Sequence, residues 1–474
     1  MSSTDPGAPK GMDDLRAGRD SCVLLVGHGS HLSPDSARPV HGLARRLHDT
    51  GAFREVRVAF WKEEPALHHA FHLVESSRVH VVPVFTSTGY FTERVVPREL
   101  GLDRTLVDRP GLRVHRCAAL GTHPRMAEVV LERALEATPL SPEPLSEATL
   151  VVAGHGTRRH PDSGRTTERI ANELSGQGRF RRVVPAFLDQ DPRLTEVLEE
   201  EDAVDVVVVP FFIAEGWHAG TTIPDDLALR GGRSVRNGTS IWYAKPVGTH
   251  SAMVDVILDL VTGWETGEEA PFASTEPPPP AVAREAFLDW IGKGGSRGRR
   301  FLETWIHGAG EGRFEVRHHL DRSADPAGLR ELETFWEGLE IAATTAQGKH
   351  RPLRTAPGLR RGWCFSGRSG REVWELFAHL YPAAPVHWHL ERGGRLRPRT
   401  FRQVALRQSG IYAGLEETSD PNLIELAGVR CGPEGCLRHP TWAPASTDPG
   451  IGRSHGVPCP EPCSLFITGV RKQG

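Results

Sequence analysis

Two sets of side chains in this sequence have the types and spacing for chemistry. The first is built on histidine: Gly27-His28-Gly29 and Gly154-His155-Gly156 repeat one tripeptide, and Gly216-Trp217-His218 adds a further imidazole. Flanking glycines let the chain turn sharply and let a large flat ligand approach the backbone. A neutral imidazole held there can ligate a divalent transition metal or take up a proton near neutral pH. The second set is built on thiol. Cys431-Gly-Pro-Glu-Gly-Cys436 and Cys459-Pro-Glu-Pro-Cys463 place four cysteines in two Gly/Pro-rich turns, where backbone amides are free to point at sulfur. Four thiolates so arranged suit either a 4Fe-4S cluster or a structural zinc ion. Zinc sites usually show a two-residue gap in at least one pair, whereas four and three residues separate these pairs, which favours the cluster. Cys364 stands as a reserve ligand or buried thiol, and Cys22 and Cys117 read as strand-core residues.

The elements that must position the histidines are duplicated. An offset of 127 residues carries Pro34-Asp35-Ser36 onto Pro161-Asp162-Ser163, Ala59-Phe60 onto Ala186-Phe187 and Gly121-Thr122-His123 onto Gly248-Thr249-His250. The symmetry breaks at one functional position, where Phe91 falls on His218. The second copy is therefore expected to be the working lobe. His28 either faces the same cleft from the pseudo-symmetric side or only holds its turn.

In each copy short β-branched runs alternate with helical spacing, as in Cys22 to Val26, Ala37 to Leu47, Val56 to Phe60 and Val79 to Phe85. This predicts an α/β fold with two tandem flavodoxin-like lobes on parallel sheets, covering 21–140 and 148–264. Ligands of such sheets bind beyond the carboxyl ends of the strands, where both Gly-His-Gly loops fall. A polar stretch at 1–20 reads as a disordered leader, and 265–283, containing Glu-Pro-Pro-Pro-Pro, as a Pro-rich linker. A mixed α+β, Cys-rich metal- or cluster-binding domain is expected at 284–474. Its predicted elements are helices at Arg284 to Ile291 and Leu329 to Ala343 and strands at Arg313 to Leu320 and Val386 to Leu390.

The 474 residues carry a net charge of -3, with 25% charged and 38% hydrophobic residues. Such a balance argues against a generic nucleic-acid or membrane surface. No apolar run approaches the length of a membrane span, and the chain is expected in the cytoplasm, where crowded cysteines bind metal sooner than they pair. Only six of the 57 basic residues are lysine. Arg38, Arg158, Arg159 and Arg165, which follow the Gly-His-Gly loops, have the planar fork that recognises carboxylates. His68, His69 and His72 lie at one-turn spacing on a predicted helix and read as surface residues, with a metal-relay role as the alternative. His123 and His250 suggest helix-start geometry.

Val26-Gly27-His28-Gly29-Ser30, Ala153-Gly154-His155-Gly156-Thr157, Ala186 to Pro192 and Val209-Pro210-Phe211-Phe212 leading into Gly216-Trp217-His218 together resemble the sirohydrochlorin chelatases of the CbiX/SirB type, in their long two-lobed form, within the class II chelatase superfamily. The resemblance implies insertion of Co2+ or Fe2+ into an anionic tetrapyrrole, in cobalamin or sirohaem biosynthesis. It implies His155 and His218 as the metal-handling pair, with Asp189 near the position of a family acidic residue. It also supports the cluster, since some long members carry one. Competing readings are a non-catalytic tetrapyrrole or metal carrier and a redox-sensing iron–sulfur protein on the same scaffold. A histidine phosphatase is disfavoured, because Gly27 and Gly154 stand where an arginine would precede the catalytic histidine.

Overall fold

The structure is a computed structural model that describes residues 20–102, 104–109, 111–139, 145–157, 163–216, 218–229, 231–236, 238–265, 278–408, 410–445 and 456–473, with the backbone alone at 218, 263–265 and 410. The leader apart from its last residue, Arg158, Arg159 and most of the linker lie outside the described residues. Among the described residues no helix is long and apolar enough to cross a membrane.

The first lobe contains β1 (Ser21–Gly27), α1 (Arg38–Asp49), β2 (Glu55–Phe60), β3 (Arg78–Pro83), β4 (Leu106–Arg109), β5 (Leu112–Arg116) and α2 (Met126–Ala137). The second repeats it as β6 (Thr149–Gly154), α3 (Arg165–Gly176), β7 (Arg182–Phe187), β8 (Asp205–Pro210), β9 (Arg233–Arg236), β10 (Thr239–Tyr243) and α4 (Met253–Glu265). Strand orders are β2-β1-β3-β5-β4 and β7-β6-β8-β10-β9. β1 and β6 are buried along their whole length, so they read as unbroken apolar runs rather than alternating ones. The edge strands β4 and β9 run antiparallel to their neighbours, an addition to the parallel pattern predicted from sequence. Each hairpin turns at a glycine with positive φ, Gly111 at 75° and Gly238 at 88°. The Pro-Gly and Asn-Gly dipeptides at these turns were the available signal.

The lobes pack on each other through α2 and α3 and through polar bonds across the pseudo-symmetry. Arg46 Nη1 donates to the His250 carbonyl at 3.2 Å, Arg133 Nη2 to Thr249 Oγ1 at 2.8 Å, and Arg125 Nη1 to Asp259 at 3.2 Å. The Gly-Thr-His repeats make close backbone crossings. Gly121 N–H donates to the Phe85 carbonyl and Gly248 N–H to the Phe212 carbonyl, and a Cβ on either glycine would collide with the backbone of Thr86 or Ile213. His123 and His250 each accept a backbone N–H two residues on through Nδ1, at 3.3 and 3.2 Å, which is the helix-start role expected of them.

A second structural unit gathers 277–474 together with two short pieces of first-lobe sequence, 29–34 and 60–75. Within it α5 (Pro279–Gly292), β11 (Arg299–Phe301), β12 (Thr304–Gly310), β13 (Arg313–His318), β14 (Arg330–Glu331), β15 (Trp363–Ser369), α6 (Gly370–Leu380) and α7 (Ala384–Arg392) surround a core that includes Phe287, Phe301, Trp363, Phe365 and Phe377. The sheet order is β11-β12-β13-β15-β14. α5 opens inside the expected linker, with prolines in its first turn, where a missing N–H costs nothing. The helix expected over Leu329 to Ala343 is instead β14 followed by a helix at Glu337–Ala343. Val386 to Leu390 forms part of a helix and not the expected strand.

The C-terminal part packs α8 (Asp420–Arg430) and α9 (Ser464–Gln473) around Phe401, Trp442 and Phe466. Two short parallel strands, β16 (Arg438–Pro440) and β17 (Val457–Cys459), lead through the cysteine turns.

Candidate functional site

His155 follows β6 directly, and the backbone of His218 opens a single π-helical turn, His218–Thr222, beyond β8. β6 and β8 are adjacent and parallel, with Ala153 paired to Pro210, so both residues fall at the carboxyl end of neighbouring strands. Gly156, at φ 66°, turns the chain immediately after His155, and a Cβ there would come within 2.6 Å of Gln190. Gln190 in turn accepts the Thr157 N–H at 3.1 Å and the Ser163 hydroxyl at 3.2 Å, fixing the loop.

His155 Nδ1 lies 2.7 Å from the Gly156 carbonyl. A carbonyl only accepts, so Nδ1 is the donor in this contact and the bond fixes the ring's orientation. The same Nδ1 lies 3.5 Å from Asp189 Oδ2, and both side chains are about half exposed, at 47% and 59%. Asp189 is itself held by its backbone, its N–H donating to the His155 carbonyl at 3.0 Å. The site is thus an accessible imidazole oriented by its backbone contact, with a carboxylate beside it.

Tyr243, at the end of β10, was not singled out by sequence reasoning. Its hydroxyl donates to the Ala219 carbonyl at 2.8 Å and so pins the turn that begins at His218. Burial, reinforced by Glu215, raises its phenol well above the ordinary range, so it stays a donor. In the first lobe Arg116 takes this place, and its Nη1 donates to the Thr92 carbonyl at 3.1 Å. The signal was the 127-residue offset, which carries Arg116 onto Tyr243 and Thr92 onto Ala219.

The first lobe keeps the frame with other contents. The His28 ring meets Phe91 edge-on at 4.9 Å between centroids, and Phe91 stacks on Phe85 at 5.8 Å. Lys62, at the position of Asp189, has its ammonium over the rings of Trp61 and Tyr412 at 4.9 and 4.2 Å. A surface cleft of about 350 Å3 between the lobes is lined by Asp35, Arg38, Arg46 and Glu215, and Glu215 lies three positions before His218 in the chain. Arg38 also bonds Asp35 at 3.2 Å.

The four cysteines converge as expected. Cys431, Cys436, Cys459 and Cys463 line one cavity of about 330 Å3. Burial, and after it the nearness of Cys463, Cys459 and Cys436, pushes the Cys431 thiol far up. Burial likewise raises Cys459, and it raises Cys463 to about 11 despite the Phe466 N–H directed at its sulfur from 3.4 Å. The Arg438 N–H points at Cys436 Sγ from the same distance, 3.4 Å. Buried thiolates are costly without cationic partners, and four of them around one cavity, with amides aimed at sulfur, fit an iron–sulfur cluster. Cys364 is not part of this set: its Sγ donates to Glu331 at 3.0 Å on β15.

Duplicated lobes with histidines at the strand ends, followed by a four-cysteine domain, define a two-lobed chelatase-type α/β protein with an iron–sulfur module. Residues 22–137 and 149–263 match CbiX, 287–392 match the DR2241 stabilising domain, and 393–472 match a 4Fe-4S iron-sulfur cluster binding domain. The chain is 39% identical over 261 residues to a probable sirohydrochlorin cobaltochelatase of Halobacterium salinarum, covering 50% of this chain and 89% of the relative. It is 35% identical over 138 residues to a sirohydrochlorin cobaltochelatase of Methanopyrus kandleri, covering 24% of this chain and 95% of that one. The crystal structure of DR2241 from Deinococcus radiodurans, described as a multi-domain protein with structural similarity to chelatases and two additional novel domains, aligns with a TM-score of 0.81 at 29% identity, over 96% of this chain and 98% of that one. The chain belongs to the CbiX family. The match at 393–472 favours the cluster and lends nothing to zinc.

Proposed function

We propose that this protein inserts a divalent cation, Co2+ or Fe2+, into sirohydrochlorin or a related anionic tetrapyrrole, in cobalamin or sirohaem biosynthesis, and that the second lobe does the work. The observation that carries this reading is the placement of His155 and His218 at the carboxyl ends of the adjacent parallel strands β6 and β8, with Asp189 Oδ2 3.5 Å from His155 Nδ1. Metallation replaces two pyrrole N–H protons by one dication, so the site needs both a transient ligand and a base. His155 and His218 hold the incoming metal and accept protons as the ring nitrogens ligate it. Asp189, 3.5 Å from His155, stabilises the imidazolium and attracts the cation. Arg38 and Arg46 in the interlobe cleft meet the carboxylates of the macrocycle. His28, packed against Phe91, supports the ring's opposite side and does not ligate metal.

Cys431, Cys436, Cys459 and Cys463 hold the cluster, which when bound supplies one-electron chemistry or a covalent brace for the C-terminal turns. Anaerobic incubation of the purified protein with sirohydrochlorin and either cation, followed by absorbance of the metallated ring, tests the function. Turnover beyond one equivalent supports the enzyme. Tight binding of tetrapyrrole without metallation would instead establish the carrier reading.

A further inference from the structure

His68, His69 and His72 are not on the surface. They lie on a 3-10 helix, Leu67–Leu73, in the unit that contains the cysteines, and His69 is only 6% exposed. The second lobe carries Thr195, Glu196 and Glu199 at the equivalent positions, so the shared frame does not demand the histidines. His68 and His69 line the cavity that the four cysteines line, together with Glu461.

The ligand atoms of His68, His69 and Glu461 all lie within 4.8 Å of one another, and His68 Nε2 is 3.0 Å from Glu461 Oε1. Glu461 Oε2 is held by Arg399 at 3.0 Å, with Arg407 at 3.7 Å, which orients the carboxylate and leaves Oε1 toward the histidines. Oε1 is engaged by His68, but both ring nitrogens of His69 are buried without a hydrogen bond. A buried imidazole with neither nitrogen satisfied is expensive, and a cation accepting its lone pair removes that cost. A further layer stands behind the three: the His387 ring lies 4.4 Å from that of His69, and His72 Nδ1 is 2.9 Å from His387 Nε2. Burial holds His69 and His387 well below the ordinary histidine range, so both are neutral at physiological pH.

We propose that His68, His69 and Glu461 form a second metal site, which takes one divalent first-row transition-metal cation and is separate from both the four-cysteine set and His155. Two imidazoles and one carboxylate leave coordination positions open and suit Fe2+, Co2+, Ni2+ or Zn2+ over Mg2+ or Ca2+. The site is independent of the chelatase reading, since the proposed reaction uses none of its residues.

The test uses full-length protein with its cluster intact, under anaerobic conditions, in a His155→Ala background that removes the second-lobe imidazole. Co2+ alone is titrated, and bound metal is measured by equilibrium dialysis with elemental analysis and by the visible d–d bands of protein-bound cobalt. One Co2+ per chain is expected. Adding His68→Ala or Glu461→Gln should weaken its binding by at least about tenfold while the cluster absorbance is unchanged. His68 is less buried than His69, and Glu461→Gln keeps the shape of the side chain, so neither variant depends on repacking a fully enclosed imidazole. Absence of bound Co2+, or equal affinity in parent and both variants, would overturn the proposal and leave the trio a structural ion pair.

Discussion

The two lobes share a backbone and differ in what they mount on it. Where the second lobe has His155, Asp189 and Gln190, the first has His28, Lys62 and Glu63, and the turn that opens with His218 opens with Phe91 in the first. The glycines that permit the crossings at 121 and 248 are kept in both, as are the turns at Gly29 and Gly156, each at positive φ. Duplication therefore conserved what the chain path requires and released what only chemistry requires. A cation near Lys62 would meet an ammonium, whereas one near Asp189 meets a carboxylate. The asymmetry is electrostatic before it is geometric.

The strongest way to break this contrast is to remove one imidazole from each lobe. His155→Ala should lower kcat/KM for metal insertion by about 100-fold or more, the usual worth of a positioned acid–base group, and His28→Ala by less than about tenfold. Initial rates of sirohydrochlorin metallation compare the two directly. Equal losses would make the lobes functional equivalents and would end the assignment of the second lobe as the working one.

The next effect concerns what the lobes share. Gly121→Ala and Gly248→Ala each place a methyl group against a backbone carbonyl, of Thr86 or Ile213, that cannot rotate away. Each should destabilise the protein by about 1–3 kcal/mol, measured by denaturant unfolding, and by similar amounts because the crossings are equivalent. A large loss at one and none at the other would show that the frame itself has diverged.

Smaller, but aimed at the site, is Tyr243→Phe. It removes the hydroxyl that holds the Ala219 carbonyl and leaves the ring, so stability should fall by only about 1 kcal/mol. Because that bond pins the turn at His218, kcat should fall several-fold with KM for the tetrapyrrole little changed. Arg116→Met, which breaks the corresponding bond to Thr92, should leave kcat unaltered. If both variants lost kcat alike, the turn would be serving the fold and not the histidine.

Much of this was legible from residue order. The repeat gave two lobes, the apolar runs gave their central strands, and the paired cysteines gave one convergent site. What escaped depended on tertiary context. His387-Trp388-His389 alternates like a strand, yet Ala383 at φ 58° starts a helix there, and burial of Val386 and His387 against the Phe287 core holds it. His68, His69 and His72 read as surface residues on a helix because their one-turn spacing carries no sign of the distant sequence packed against them. Their burial depends on residues almost four hundred positions away, Glu461 among them, which local periodicity cannot register.

A pH dependence sharpens the comparison inside the sheets. At His80 and His115, paired across β3 and β5, the second lobe has Val207 and Trp242. Burial, and after it the neighbouring His80, holds His115 down to about 3, so the folded first lobe keeps this imidazole neutral where an unfolded chain would protonate it near its usual 6.5. The unfolded state then binds the extra proton first. The contribution of His115 to stability is complete above about pH 6.5, declines as the pH falls, and has gone once the pH passes below about 3. Denaturant unfolding followed from neutral pH downward should show this slope, and His115→Asn should flatten it by about one proton, while Trp242→Phe in the second lobe should leave it unchanged. A slope that survives His115→Asn would assign the acid sensitivity to other buried histidines, His318 among them, which burial lowers to about 4. The His80–His115 pair would then give the first lobe's sheet no acid sensitivity that the second lacks.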